Sequence, residues 1–378
     1  MLRLFLLVVC LAAAALGLLT VMKAPEWAPW QASVLAGEYG YWLALAPLAA
    51  VLLALPYTGA LASLVRIIGV IAVVLLVQPC FQAWRIGQRL PAQLRAAFGA
   101  PADARLARQQ AAFRIDDLFG PAPSVVPHET FAYEGHQSLD LYRAQGVRKA
   151  APCVVVIHGG GWNNGDRGQI PTLNYQLARA GFVVADISYQ LAPAAIWPAQ
   201  RDDVQAALAW LKARAIEFEI DPRRFVILGR SAGGQIAEAA AYAAHDPSIR
   251  GVVALYAPAD MRFAYKYGRE DDILHSLALL RQFLGGPPFA AGPAYDSASG
   301  YFLASDSSPP TLLVHGKLDS LVWYLQSTRL AERLSAHRVP HYLLTLPWAT
   351  HAVEYHTQGP SGQLAWFAVH WFVSAVTR

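Results

Sequence analysis

Cysteine and charge are both scarce in this 378-residue chain, and each scarcity narrows what it can be. The three cysteines, Cys10, Cys80 and Cys153, fall in apolar segments without paired spacing. Neither a disulfide framework nor a thiolate metal knuckle is implied, and no metal or organic cofactor is expected. Charged residues make up 15% of the sequence with a net charge of +4, and no Lys/Arg cluster alternates with exposed aromatics. That balance argues against a nucleic-acid partner. No internal repeat is present, which sets aside repeat architectures.

Apolar residues, by contrast, reach 55%, and they are unevenly spread. Through residue 81 the charged side chains are Arg3, Lys23, Glu26, Glu38 and Arg66. Residues 4–21 form an almost unbroken apolar run, long enough to cross a bilayer. Two further runs, 41–56 and 61–77, are separated by the turn signal Pro56-Tyr57-Thr58-Gly59. The pattern predicts three transmembrane helices within 1–81, the last two a hairpin in lipid with Trp42 and Tyr57 at the interfaces. On this reading the chain is a multi-pass integral membrane protein with the lipid bilayer as a partner. A secretory signal peptide competes for the first run because Arg3 supplies a basic start. The run's length and the membrane-like sequence after it weigh against cleavage. Very hydrophobic core helices are the alternative for the hairpin. Lys23, Arg85, Arg89 and Arg95 on one side lean towards a cytoplasmic catalytic portion, while Arg3 before the first helix argues the reverse.

Residues 82–124 carry periodic Leu90, Leu94, Phe98, Leu106 and Phe113 and read as an amphipathic helical linker. It lies on the membrane surface or packs on the following domain. Pro121-Ala122-Pro123 closes it, and the catalytic portion is expected over 125–378. There the pattern alternates. Apolar strands are predicted at 154–157, 182–187, 225–228, 252–256, 311–314 and 342–346, after a hairpin at 131–133 and 139–142. Helical patterns at 172–180, 201–215, 233–244 and 325–336 separate them. The expectation is an α/β fold, a mainly parallel sheet with helices on both faces.

The strand at 225–228 runs into Gly229-Arg230-Ser231-Ala232-Gly233, and a helical pattern follows at once. Glycines on both sides of the serine suit a sharp strand-to-helix turn that projects a nucleophilic hydroxyl. A serine needs a base, and the base needs an orienting acid. Asp319 follows the strand at 311–314 and His351 follows the strand at 342–346, which places both at carboxyl ends of strands. Asp296 and Asp306 precede a strand and are weaker candidates, and His356 falls late. Directly after the strand at 154–157 comes His158-Gly159-Gly160-Gly161-Trp162. Its glycines let backbone amides turn inward, so Gly160 and Gly161, joined by Ala232, are the candidate oxyanion donors. No Gly-Lys-Ser/Thr ending follows, which disfavours a phosphate loop.

Together with Tyr189-Gln-Leu-Ala-Pro193, Pro198-Ala-Gln-Arg-Asp-Asp203 and His315-Gly-Lys-Leu-Asp319, these motifs resemble the α/β-hydrolase superfamily over roughly residues 125–378. Within it, the likeness is to the carboxylesterase branch of hormone-sensitive-lipase-like and feruloyl-esterase-like enzymes. The resemblance implies Ser231 as nucleophile, His351 as base and Asp319 as its orienting acid. It also implies that His158 shapes the oxyanion turn, with Trp162 beside it, and takes no part as a base. The implied function is a membrane-anchored serine carboxylester hydrolase acting on small or lipophilic esters. An amide, formamide or peptide hydrolase on the same triad is the alternative, and a non-catalytic interaction protein a third. Three features depart from the family pattern: Arg230 beside the nucleophile, Trp348-Ala349-Thr350 before the histidine, and the membrane portion. Arg230 either attracts an anionic substrate or pairs with a carboxylate. Residues 260–310 form a long insert in the position of a lid. Its Met261, Phe263, Tyr265, Tyr267, Leu277, Leu280, Phe283 and Phe302 either line a pocket with Trp162, Trp197 and Trp323 or form the insert's own core.

Overall fold

Helix formation at the amino terminus follows the apolar runs but not their expected limits. In the computed structural model, which describes residues 1–135, 137–147 and 150–378, four helices come first. They are α1 (Leu2–Leu18), α2 (Trp27–Leu43), α3 (Leu45–Ala54) and α4 (Ala60–Gly87). The expected second span at 41–56 is the end of a longer helical path that begins at Trp27 and bends by 46° between α2 and α3. Pro47 accounts for the bend, because it lacks the N–H that the carbonyl of Leu43 would otherwise receive. Among the described residues α4 is the one helix long and apolar enough to cross a membrane by itself. The α2–α3 pair meets that measure only as one broken span, and α1 is a shorter apolar helix. Pro79 likewise interrupts α4 and frees the carbonyl of Leu75, which accepts a 3.0 Å hydrogen bond from Thr20 Oγ1. The end of α1 is thereby fastened to the discontinuity in α4.

The predicted linker forms α5 (Leu90–Phe98) and α6 (Ala104–Arg108). Leu90, Leu94, Leu106 and Phe113 are buried in one cluster with Val154, Leu344, Trp371 and Phe372, so the segment packs on the sheet side of the molecule.

Among the described residues there are eight strands: β1 (Glu129–Glu134), β2 (Gln137–Tyr142), β3 (Ala151–Ile157), β4 (Val183–Ile187), β5 (Ile220–Arg230), β6 (Ile249–Leu255), β7 (Thr311–Gly316) and β8 (His341–Leu346). They form one sheet in the order β1-β2-β4-β3-β5-β6-β7-β8. The β1–β2 and β2–β4 pairs are antiparallel and the rest parallel. Its central strands are buried on both faces, as their β-branched runs require. Val155, Ile157 and Ile227 face one layer, Val154, Val156 and Val226 the other, by strand alternation. The first layer holds α8 (Ala199–Ala213), α9 (Ala232–Ala244) and α14 (Leu325–Ala336); the second holds α7 (Thr172–Arg179) and α15 (Pro360–Val376). Between β6 and β7 the expected insert folds as α10 (Met261–Tyr267), α11 (Ser276–Leu284), α12 (Pro288–Ser297) and α13 (Gly300–Leu303).

At Gly40, α2 meets α4 so closely that a Cβ there would overlap the Leu76 carbonyl oxygen. Gly40→Leu is therefore expected to cost about 1–3 kcal/mol by overpacking, read as a lower thermal midpoint of the full chain in detergent.

Candidate active site

The end of β5 places Ser231 in a backbone conformation that few side chains tolerate, with φ 52° and ψ −119°. Its N–H donates to the Leu255 carbonyl at 2.9 Å, and α9 begins at the next residue. A Cβ at Gly229 would overlap the carbonyl of Gly233, and one at Gly233 would overlap the carbonyls of Ile157 and His158. The two glycines let β5, the turn after β3 and α9 converge, and that convergence sets the serine at the strand ends.

Asp319 lies three residues beyond β7 and is fully buried. One oxygen accepts the N–H groups of Leu321 and Val322 at 2.8 and 2.9 Å. The other accepts from His351 Nδ1 at 2.7 Å and lies 3.2 Å from His315 Nε2. Burial alone would raise this carboxyl, but His351 and His315 outweigh it and hold Asp319 below the ordinary carboxylate range. An ionised Asp319 fixes the His351 tautomer with the proton on Nδ1 and leaves Nε2 as the acceptor. Among the described residues no hydrogen bond joins His351 to Ser231. The structure thus joins acid to imidazole and presents the serine separately at the end of β5, one strand removed from β7. The other candidates lie elsewhere: Asp306 pairs with His337 and Asp296 with Arg262, while His356 stacks on Tyr39.

The glycine turn after β3 carries positive φ at Gly160 (114°), Gly161 (59°) and Trp162 (64°). Among the described residues the N–H groups of Gly160, Gly161 and Ala232 donate to no protein acceptor. His158 is buried, stacks on Tyr189 at 4.2 Å and donates from Nδ1 to the Gly159 carbonyl at 2.7 Å. Burial lowers its basicity, so it stays a neutral support for the turn. Trp162 ties the turn down: its Nε1 donates to Gln235 Oε1 at 2.7 Å, and its ring stacks on Phe283 at 4.4 Å.

Beside this turn is a cavity of about 180 Å³ lined mainly by Trp162, Phe263, Tyr267, Leu280, Val322 and Trp323. The insert's residues therefore divide. Phe263, Tyr267 and Leu280 line the cavity, whereas Met261 and Phe283 are buried and Phe302 is exposed. Trp197 is also buried, donating to Ser297 Oγ at 2.9 Å.

Arg230 has a carboxylate partner. Its Nε donates to Glu354 Oε1 at 2.9 Å, both side chains being almost wholly buried, and Tyr256 donates to the same oxygen at 2.7 Å. A guanidinium so enclosed cannot reach a substrate. Glu354, Tyr256 and Gln235 were not anticipated as parts of this site. His315 stands four residues before Asp319, and that i,i+4 spacing is the sequence signal for its contact with the carboxylate.

Residues 139–334 match the family described as BD-FAE, a span that includes Ser231 and Asp319 and ends before His351. The probable carboxylic ester hydrolase LipM of Mycobacterium tuberculosis is 30% identical over 301 residues, covering 71% of this chain and 69% of that protein. Esterase LipC of the same organism is 29% identical over 259 residues, covering 64% and 63%. The structure of a Pyrobaculum calidifontis esterase shares the fold with a TM-score of 0.56 at 20% identity, covering 77% of this chain and 92% of the other.

Removing one partner of the Arg230–Glu354 pair strands a buried charge, at a typical cost of about 3–5 kcal/mol. Arg230→Met and Glu354→Leu should each lower the thermal midpoint markedly, and the double variant should recover most of the loss. A double variant as unstable as the sum of the singles would contradict the pairing.

Proposed function

We propose, given that this chain belongs to the BD-FAE family in the carboxylesterase branch of the α/β hydrolases, that it cleaves its ester through Ser231, His351 and Asp319 while anchored in a membrane. The reading is supported by three parallel strands that end on one edge of the sheet. β5 presents a strained serine, β7 an ionised carboxylate, and the loop after β8 an imidazole held by that carboxylate at 2.7 Å. In the proposed cycle Ser231 Oγ attacks the acyl carbon and its proton passes to His351 Nε2. Asp319 stays ionised and steadies the imidazolium. The oxyanion takes hydrogen bonds from the N–H groups of Gly160, Gly161 and Ala232, each worth about 3–4 kcal/mol in the transition state. His351 then protonates the leaving alcohol, and water, activated by the same imidazole, hydrolyses the acyl-enzyme.

Membrane anchoring is supported by the outward face of the amino-terminal helices. Leu4, Phe5, Val8, Ile67 and Val74 are each more than half exposed, as a lipid-facing surface would be. A lipophilic substrate is supported by the cavity's lining and by Trp323. That residue lines both the cavity beside the oxyanion turn and a surface cleft shared with Lys23, just past the end of α1. An ester dissolved in the bilayer would meet the cavity at that rim. The distribution of Lys23, Arg85, Arg89 and Arg95 favours the cytoplasmic face for the catalytic portion.

Ser231→Ala is expected to lower hydrolysis of p-nitrophenyl butyrate at least about a thousandfold and to abolish fluorophosphonate labelling. Wild-type turnover in that variant would sink the assignment. An alkaline phosphatase fused after residue 90 should be inactive; strong activity would reverse the orientation.

A further inference from the structure

The segment that carries His351, residues 347–359, links β8 to α15 without a helix or strand of its own. It is held at three points. Glu354 is fastened from the catalytic side by Arg230 and Tyr256. The other two points come from α2. Before the histidine, the buried Trp348 ring faces Gly37, its Cδ1 3.6 Å from where a Cβ at that glycine would lie. After it, His356 stacks on Tyr39 at 4.2 Å with the rings 13° apart, and its Nε2 lies 3.4 Å from the Tyr41 hydroxyl. That hydroxyl donates in turn to the Leu118 carbonyl at 3.0 Å.

Glu38 completes the contact. It is the acidic residue of an apolar helix and is only 4% exposed, an unfavourable place for a carboxyl without a task. One of its oxygens accepts the N–H of Ser361 at 3.2 Å. Ser361 lies in the first turn of α15, where backbone N–H groups lack intrahelical acceptors and the N-cap, Gly359, has no side chain to supply one. A residue more than 300 positions earlier therefore caps the helix that ends the histidine segment.

We propose that Glu38 and Tyr39 are positioning residues for catalysis, with α2 acting as the outer clamp that holds His351 against Asp319 and towards Ser231. The proposal rests on the reading of His351 as the catalytic base. It makes the amino-terminal helices a working part of the enzyme as well as an anchor. His351 is bounded on the chain by Trp348, which faces Gly37 of α2, and His356, which stacks on Tyr39, so loosening α2 widens the range of imidazole positions. A reaction that depends on near-attack geometry then slows without a matching change in substrate binding.

The test uses the full chain in detergent with p-nitrophenyl butyrate. Glu38→Ala and Tyr39→Leu should each lower kcat about tenfold, equivalent to about 1.4 kcal/mol, with KM changed less than about twofold. Glu38→Gln keeps a carbonyl acceptor for Ser361 and should retain at least about half of wild-type kcat. Wild-type kcat in both Glu38→Ala and Tyr39→Leu would overturn the proposal, as would a Glu38→Gln variant as slow as Glu38→Ala. Should Glu38→Ala fail to fold, the half-buried Tyr39→Leu decides alone: a normal kcat there refutes the clamp. Ser231→Ala in the same series separates the two readings. Activity in that variant removes the catalytic assignment, whereas an inactive Ser231→Ala beside unimpaired α2 variants removes only the clamp.

Discussion

The constraint on which the rest depends is steric: β5, the turn after β3 and α9 must meet at one point. They can do so only because residues 229 and 233 carry no side chain. Once they meet, Ser231 is forced to positive φ, and the start of α9 faces the glycine turn at 159–161. The strain is local and is held by the ladder on either side. β5 pairs with β3 and β6 over most of its length, so the sheet over-determines a conformation that an isolated turn would leave.

Around that fixed point the polar groups are arranged in depth. Asp319 has hydrogen bonds to both oxygens, so its charge is balanced by the loop that carries it. Deeper, Arg230 and Glu354 join the residue before the nucleophile to a residue three beyond the histidine. The pair spans 124 positions of sequence and makes the serine and histidine segments settle together. Its contribution is registry between two loops, because the desolvation of two buried charges offsets much of their mutual attraction.

What was legible in the sequence was whatever is written locally. The strand before Ser231, its flanking glycines, the glycine turn after β3, and the placement of Asp319 and His351 after strands all follow from short-range pattern, and the sheet came with them. The partner of Arg230 was not legible, since nothing near residue 230 marks Glu354. The start of α2 was missed because Glu38, Gly37, Gly40 and the flanking aromatics dilute its apolar character, and the bend before Pro47 hides where the helix began. The insert appeared as one uncertain block because its aromatics serve two ends. Phe263 and Tyr267 border the cavity while Phe283 wedges between Trp162 and Trp197, and composition does not distinguish these positions.

The helix α15 is apolar on nearly every side, with Leu364, Phe367, Val369, Trp371 and Phe372 all buried. A helix of this kind needs cover all round. The sheet supplies one side through Val253, Val314 and Leu344, and Leu90, Leu94 and Phe113 supply another. The start of the strand-rich sequence near residue 125 is therefore not where the hydrophobic interior starts. Any portable unit, whether trimmed for expression or exchanged between proteins in evolution, has to bring the stretch from about Ala83 onward, or leave Trp371 and Phe372 facing water.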